Sequence, residues 1–461
     1  MSGDQRTERD TMGEMDVPAE ALWGASTQRA VQNFQISGQP IAPEIIRSLA
    51  TVKASAAEAN ASLSALDPDV ARAIASAADA IASGQHADQF PIDRFQTGSG
   101  TSTNMNMNEV VAHVASAESG LSIHPNDHVN ASQSSNDIFP TALHLAVAQL
   151  MRDQLVPDLL GLVDAFTLKS REWRDVVKSG RTHLMDAAPV TLGQEFDGFA
   201  GQITHAIARV ESAVPRILEV PLGGTAVGTE LNAPRGFTEE TLKAIERRTA
   251  IKLRRPSSRF ESQSNRDALV ETSGVMRGIA LSLIKICNDL RWMGSGPHTG
   301  LAEITLPAVQ PGSSIMPGKV NPVIPEAVIQ ACCQTVGLDA AIAMGATTSS
   351  FQLNTAMPLI GCNAVEQVRL LSASSAALLK MVPHITADVE RLRRSAESSP
   401  AIATSLNLLV GYEEAAKVVK QAAAQGVTIR EAAQRLVDEG RVTAAQLGEA
   451  LDVNRLAHGG Q

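Results

Sequence analysis

Seam positions between about 266 and 293, all apolar but Ser273, step alternately by four and three through Leu269, Ser273, Met276, Ala280, Leu283, Cys287 and Leu290. That spacing predicts one continuous helix with a bundle seam. Val275, Ile279, Ile284 and Ile286 widen the apolar stripe until little of the helix stays polar, so several neighbours must surround it. At ~1.5 Å per residue it would run about 40 Å, over twice the average globular helix. Long patterns of the same kind cover 141–177, 194–218, 325–345 and 363–381. Together they make the middle of the chain a helical bundle. Pro157 should kink or split the first of them. Pro325, followed by Glu326, suits a first helical turn, where a missing N–H costs nothing.

Between these helices lie clusters of Gly, Ser, Thr and Asn at 97–108, 130–136, 180–186, 223–229 and 312–321. Loops of this kind on a rigid frame are where chemistry is carried. Beyond residue 391 the pattern shortens into smaller helices. The expected fold is therefore all-α: a long central bundle domain over 134–390, flanked by smaller helical domains over 1–133 and 391–461.

Composition narrows the partners. Hydrophobic residues are 44% and charged residues 19% of the 461, and the formal net charge of −10 disfavours nucleic acid. An anionic substrate would need a local concentration of donors against that field. The four cysteines, Cys287, Cys332, Cys333 and Cys362, form no CxxC pair and suit a reducing, cytoplasmic setting. Residues 1–12 lack an apolar leader core, and no apolar run reads as long enough to cross a bilayer, so no membrane partner is expected.

The loops exclude some chemistries. Between Gly312 and Gly318 five residues intervene, and Val320 follows Lys319. A phosphate loop needs four residues there and Ser or Thr after the lysine. Gly98-Ser99-Gly100 lacks the third glycine and the strand–helix–strand setting of a dinucleotide fingerprint. His124-Pro125-Asn126-Asp127-His128 lacks the further ligands a zinc site requires, so no metal is expected. What remains is a set of donors: Ser99, Thr101 and Asn104; Ser134, Ser135 and Asn136; Thr182 and His183; Ser313, Ser314, Lys319 and Asn321. Hydroxyls, amides and one lysine suit small carboxylates. Taken singly, each loop is explained by helix capping and turns, Lys319 by a solvated charge, and Glu326 by a first-turn carboxylate.

Taken together the loops resemble the fumarase/aspartase superfamily, and class II fumarases along nearly the whole chain. The resemblance begins at Val17-Pro18-Ala19-Glu20-Ala21-Leu22-Trp23-Gly24 and continues to Gly411-Tyr412. It is carried by residues 96–106, by Gly180-Arg181-Thr182-His183-Leu184-Met185-Asp186, and by Gly312-Ser313-Ser314-Ile315-Met316-Pro317-Gly318-Lys319-Val320-Asn321-Pro322. The last segment is shared with aspartate ammonia-lyases. His183, Trp23 and Ser135 stand where those enzymes typically carry Gln, Tyr and Thr, which favours fumarase over an ammonia-lyase, and retention of Ser313, Lys319, His183 and Glu326 argues against a non-catalytic relative. Gln352 and His298 depart from the fumarase pattern.

The resemblance implies reversible hydration of fumarate to (S)-malate, a step of the tricarboxylic acid cycle, with no cofactor. It implies Ser313 as the base, Lys319 as the charge stabiliser, and His183 paired with Glu326 for the proton of the departing hydroxyl. Ser99, Gly100, Thr101, Ser134, Ser135, Asn136, Thr182, Ser314, Lys319, Val320 and Asn321 would hold a small dicarboxylate. His124, Pro125, Asn126 and Asp127 would form a second carboxylate site. A homotetramer with each active site drawn from three subunits is also implied, and an apolar central helix suits it.

Overall fold

A computed structural model describes residues 4–459. The first three residues of the expected N-terminal domain, where a leader would begin, and the last two of the C-terminal domain lie outside the described residues. The chain opens on a hairpin of β1 (Gln5–Asp10) and β2 (Gly13–Pro18). Then come α1 (Ala25–Asn33), α2 (Pro43–Ser62), α3 (Pro68–Ala82), α4 (Thr101–Ser119), α5 (Ser135–Leu150) and α6 (Val156–Glu172). A second hairpin, β3 (Val177–Thr182) and β4 (Met185–Thr191), leads to α7 (Leu192–Ile217), α8 (Phe237–Thr249) and α9 (Arg259–Ser264). The long helices α10 (Asp267–Met293), α11 (Val323–Ala346) and α12 (Met357–Met381) follow, and shorter helices end the chain. Strands occur only in two-stranded pairs among the described residues, so the fold is all-α.

The expected long helices are present, and their ends have local causes. The pattern over 141–177 divides into α5 and α6 around a π-helical turn, Met151–Leu155. Pro157 lies two residues beyond it. Its missing N–H and the clash of its ring with the carbonyl four residues back explain why the regular ladder is interrupted there. α11 starts at Val323, which puts Pro325 in the first turn. The hairpins were not expected, because short polar strands carry little apolar periodicity.

One expectation is corrected. By length and composition α11 is apolar enough to cross a membrane, although no such run was read from the sequence. It nevertheless bears Asp339, which accepts from Ser273 Oγ at 2.7 Å and Arg277 Nη1 at 2.6 Å, both on α10. Only 33% of its apolar stretch is buried within this chain.

The chain forms two compact units. The first contains the stretch ending at Pro157 together with Ala206–Ala280 and Ala331–Ala373. In it α2 packs against α3, α5 and α8, and Ile45, Leu49 and Val52 are wholly buried. Glu109 on α4 accepts the amides of Gly24, Ser26 and Thr27 at 2.9, 3.0 and 3.1 Å. It thereby caps α1, whose own N-cap residue makes no side-chain bond. The second unit contains Asp158–His205, Leu281–Gln330 and the stretch from Ser374 onward. Phe166, Trp173, Phe196 and Phe199 pack there with centroids 4.8–6.0 Å apart, mostly edge to face. Ile402, Leu406, Val418 and Leu436 centre the core of its C-terminal helices.

Candidate active site

In the first unit the donor loops become two helix N-termini. Gly100 is at φ +73°, and a Cβ on it would lie 2.3 Å from the Phe139 ring of α5. The missing side chain lets the start of α4 sit against α5, so Ser99–Gly100–Thr101 and Ser134–Ser135–Asn136 are brought together. The Ser99 and Thr101 hydroxyls are 2.7 Å apart. Ser134 accepts the Asn136 amide at 3.2 Å, and Asp137 accepts the Ser134 amide at 2.9 Å, a capping box. Positive helix ends edged with hydroxyls are chemically suited to a carboxylate.

Two buried groups hold these ends, and neither was picked out from the sequence. Asp137 is fully buried and also accepts the amides of Gly223 at 2.9 Å and Thr225 at 3.0 Å, while Asn136 Nδ2 donates to the Ala226 carbonyl at 2.9 Å. The 223–228 loop is thus tied to the start of α5. Burial pushes the Asp137 carboxyl up to about 6 against the lowering effect of those amides. Lys53, in the middle of α2, is equally buried. Its Nζ donates to Asn130 Oδ1 at 2.9 Å, and the same oxygen accepts from Asn104 and Asn108 Nδ2 at 3.2 Å each. One amide oxygen therefore joins α2, α4 and the segment before α5. Burial lowers the Lys53 ammonium to about 7, partly offset by Asp137. The available signals were a Ser-x-x-Asp cap at 134–137 and a lone lysine in the alanine-rich run of α2.

In the second unit Thr182 ends β3 and His183 sits at the tip of its hairpin. His183 and Leu184 have φ of +56° and +61°, the left-handed pair that a two-residue I′ turn requires. Neither is glycine, so the turn stores about 1–3 kcal/mol per residue and exposes both side chains. Residues 312–321 form a closed loop: the Gly312 amide donates to the Lys319 carbonyl at 2.9 Å and Asn321 Nδ2 to the Gly312 carbonyl at 2.7 Å. Inside it Ser313 Oγ accepts the amides of Met316 at 3.0 Å and Ile315 at 3.2 Å. Ser314, Lys319 and Val320 are exposed, and Glu326 occupies the first turn of α11. Among the described residues no intrachain ion pair or side-chain hydrogen bond joins His183, Lys319 or Glu326 to one another.

The 124–128 segment forms a π-helical turn, Pro125–Val129. His124 Nδ1 accepts the Asp127 amide at 3.1 Å, and both side chains are exposed. Pro125 and Asn126 open the turn.

Known proteins agree with this architecture. The lyase family matches residues 13–337, and the fumarase C C-terminus matches 402–458. Fold and loops thus define an all-α lyase. The chain is 54% identical to fumarate hydratase class II of Mycobacterium tuberculosis, over 99% of this chain and 97% of that protein. It is 51% identical to the Corynebacterium glutamicum protein of the same name, over 98% of this chain and 96% of that one. The crystal structure of class II fumarase from Schistosoma mansoni superposes with a TM-score of 0.95 at 34% identity, covering 98% of this chain and 99% of that one. The chain belongs to the class II fumarate hydratase family.

Proposed function

We infer that the chain interconverts fumarate and (S)-malate, and that it does so through an aci-carboxylate formed beside the Ser313 loop. The observation that carries the activity is the 54% identity to a class II fumarate hydratase across 99% of the chain. Removing a proton next to a carboxylate is the difficult step. The carbanion becomes accessible when its charge flows into that carboxylate and donors stabilise the resulting dianion. Lys319, Asn321 and the loop amides are the donors in this mechanism. Ser313 removes the proton, and the two amides aimed at its Oγ support this role because they favour an alkoxide.

His183 supplies the proton for the departing hydroxyl, directly or through water, and Glu326 orients its ring. Ser99, Gly100, Thr101, Ser134, Ser135, Asn136, Thr182, Ser314 and Val320 surround the two substrate carboxylates, and His124 to Asp127 offer a second carboxylate site. Because His183 and Glu326 do not meet within one chain, their pairing calls for different subunits. A homotetramer with active sites drawn from three chains provides that. The partly unburied apolar α11, with Met344 68% exposed, supports such an assembly.

Ultraviolet absorbance of fumarate, followed after adding purified protein to malate and separately to aspartate, tests the activity. Fumarate should form from malate only. Formation from aspartate would make the chain an ammonia-lyase, and silence with both would leave a non-catalytic relative.

A further inference from the structure

We propose that Glu303 is a positioning residue for the reaction: its buried carboxylate grips Lys178 and Arg181 of β3 and so fixes the hairpin tip that presents Thr182 and His183. The proposal rests on the reading of His183 as the group that handles the hydroxyl's proton.

A two-stranded hairpin is marginal by itself, and this one is irregular. Its register shifts between Ser179 and Gly180, leaving Ala188 unpaired on β4. At that break the Ala188 carbonyl stands 2.5 Å from where a Cβ on Gly180 would be, so glycine is required there. The tip beyond it carries two residues in the left-handed region. A bend followed by a strained turn does not hold one direction unless surrounding contacts over-determine it.

Glu303 supplies those contacts. It is 1% exposed, and its Oε1 accepts Arg181 Nη1 at 2.7 Å. Its Oε2 lies 2.8 Å from Lys178 Nζ, off the line of a hydrogen bond, while the same ammonium donates to Glu195 Oε2 on α7 at 2.5 Å. Lys178 precedes the register break and Arg181 follows it, so one carboxylate clamps the strand on both sides of its bend. Two cations and two carboxylates balance, which makes the cluster tolerable in a buried place. Glu303 is itself fixed by its backbone: its amide donates to the Met293 carbonyl at 2.8 Å, and its carbonyl accepts the Asp388 amide at 3.0 Å. Arg181 is two residues from His183, so slack at the clamp is transmitted directly to the imidazole. Displacement of a catalytic group by about 1 Å costs on the order of 10²-fold in rate.

The test is steady-state fumarate hydration by Glu303→Gln in the parent and in the His183→Asn background. In the parent, kcat should fall about 10–100-fold, more than KM rises. In His183→Asn the same change should lower kcat by less than about threefold, since the imidazole it would misplace is gone and any effect through Thr182 falls on KM. Equal losses in the two backgrounds would mean a general structural role and overturn the proposal. So would a parent-like kcat for Glu303→Gln. Should that variant not fold, Arg181→Met replaces it, leaving Lys178 paired, with about tenfold loss in the parent and none in His183→Asn. If His183→Asn turns over at the parent rate, the histidine reading fails. The clamp is then judged through Thr182, where a KM rise in Glu303→Gln supports it and an unchanged KM overturns it.

Discussion

Replacing Lys53 by methionine separates what this buried charge costs the fold from what it does for the site. The two side chains are of similar length, so the change removes the ammonium from the Asn130 hub without leaving a large hole. The loss is one charge-assisted hydrogen bond of 2.9 Å, about 1.5–3 kcal/mol. The gain is relief from burial. A pKa of about 7 in place of 10.5 corresponds, at about 1.4 kcal/mol per pH unit, to a penalty on the order of 5 kcal/mol on the charged form. Asp137 does not reverse this balance, because Lys53 is the smallest of the influences on it, after burial and the three amides.

The pH dependence follows from the sign of the shift. The folded pKa lies below the unfolded one, so between about 7 and 10.5 the unfolded chain holds a proton that the folded chain has released. The penalty is full below about 7 and fades as pH rises toward 10.5. Lys53→Met should therefore be at least as stable as the parent near pH 6.5, and lose ground by a few kcal/mol toward about pH 10. Thermal unfolding midpoints of both proteins across that range measure the difference. Its KM for fumarate should rise several-fold at the same time, because Asn104 and Asn130 lose the tether that aligns the two helix ends. A midpoint difference that stays constant with pH would refute the charged-burial account, and an unchanged KM would refute the tether.

Three further outcomes are expected. Asp137→Asn should flatten the part of the stability profile between about 3.8 and 6, where the raised folded pKa makes the parent lose stability as pH rises; titration of unfolding midpoints checks this. Ser313→Ala should lower kcat by about 10²–10⁴-fold while fumarate still binds, measured by turnover alongside equilibrium binding; substantial residual turnover would remove Ser313 as the base. Gly98→Ala should lower the unfolding midpoint and raise KM, because its Cβ would fall 1.8 Å from the Thr355 carbonyl and push α4 off its seat, at a cost of about 1–3 kcal/mol.

What the sequence determined by itself was everything carried by local periodicity and by contiguous motifs. The seam of α10, the first-turn Pro325 of α11 and the interruption near Pro157 were legible because each depends on residues within a turn or two. The Ser313 loop and the Thr182-His183 segment were legible as unbroken strings. Tertiary structure alone decided how those strings are held. The tip of β3 and β4 has His183 and Leu184 where a hairpin signal would be Asn-Gly, so only the fold shows that the histidine rides on a strained turn. Lys53 meets Asn130 across 77 residues, and Arg181 meets Glu303 across 122. No local pattern encodes such pairs, because burying a charge is tolerable only beside a partner that the folded chain brings to it. The pairing proposed for His183 and Glu326 would lie one level further out, since among the described residues no hydrogen bond or ion pair joins the two within one chain.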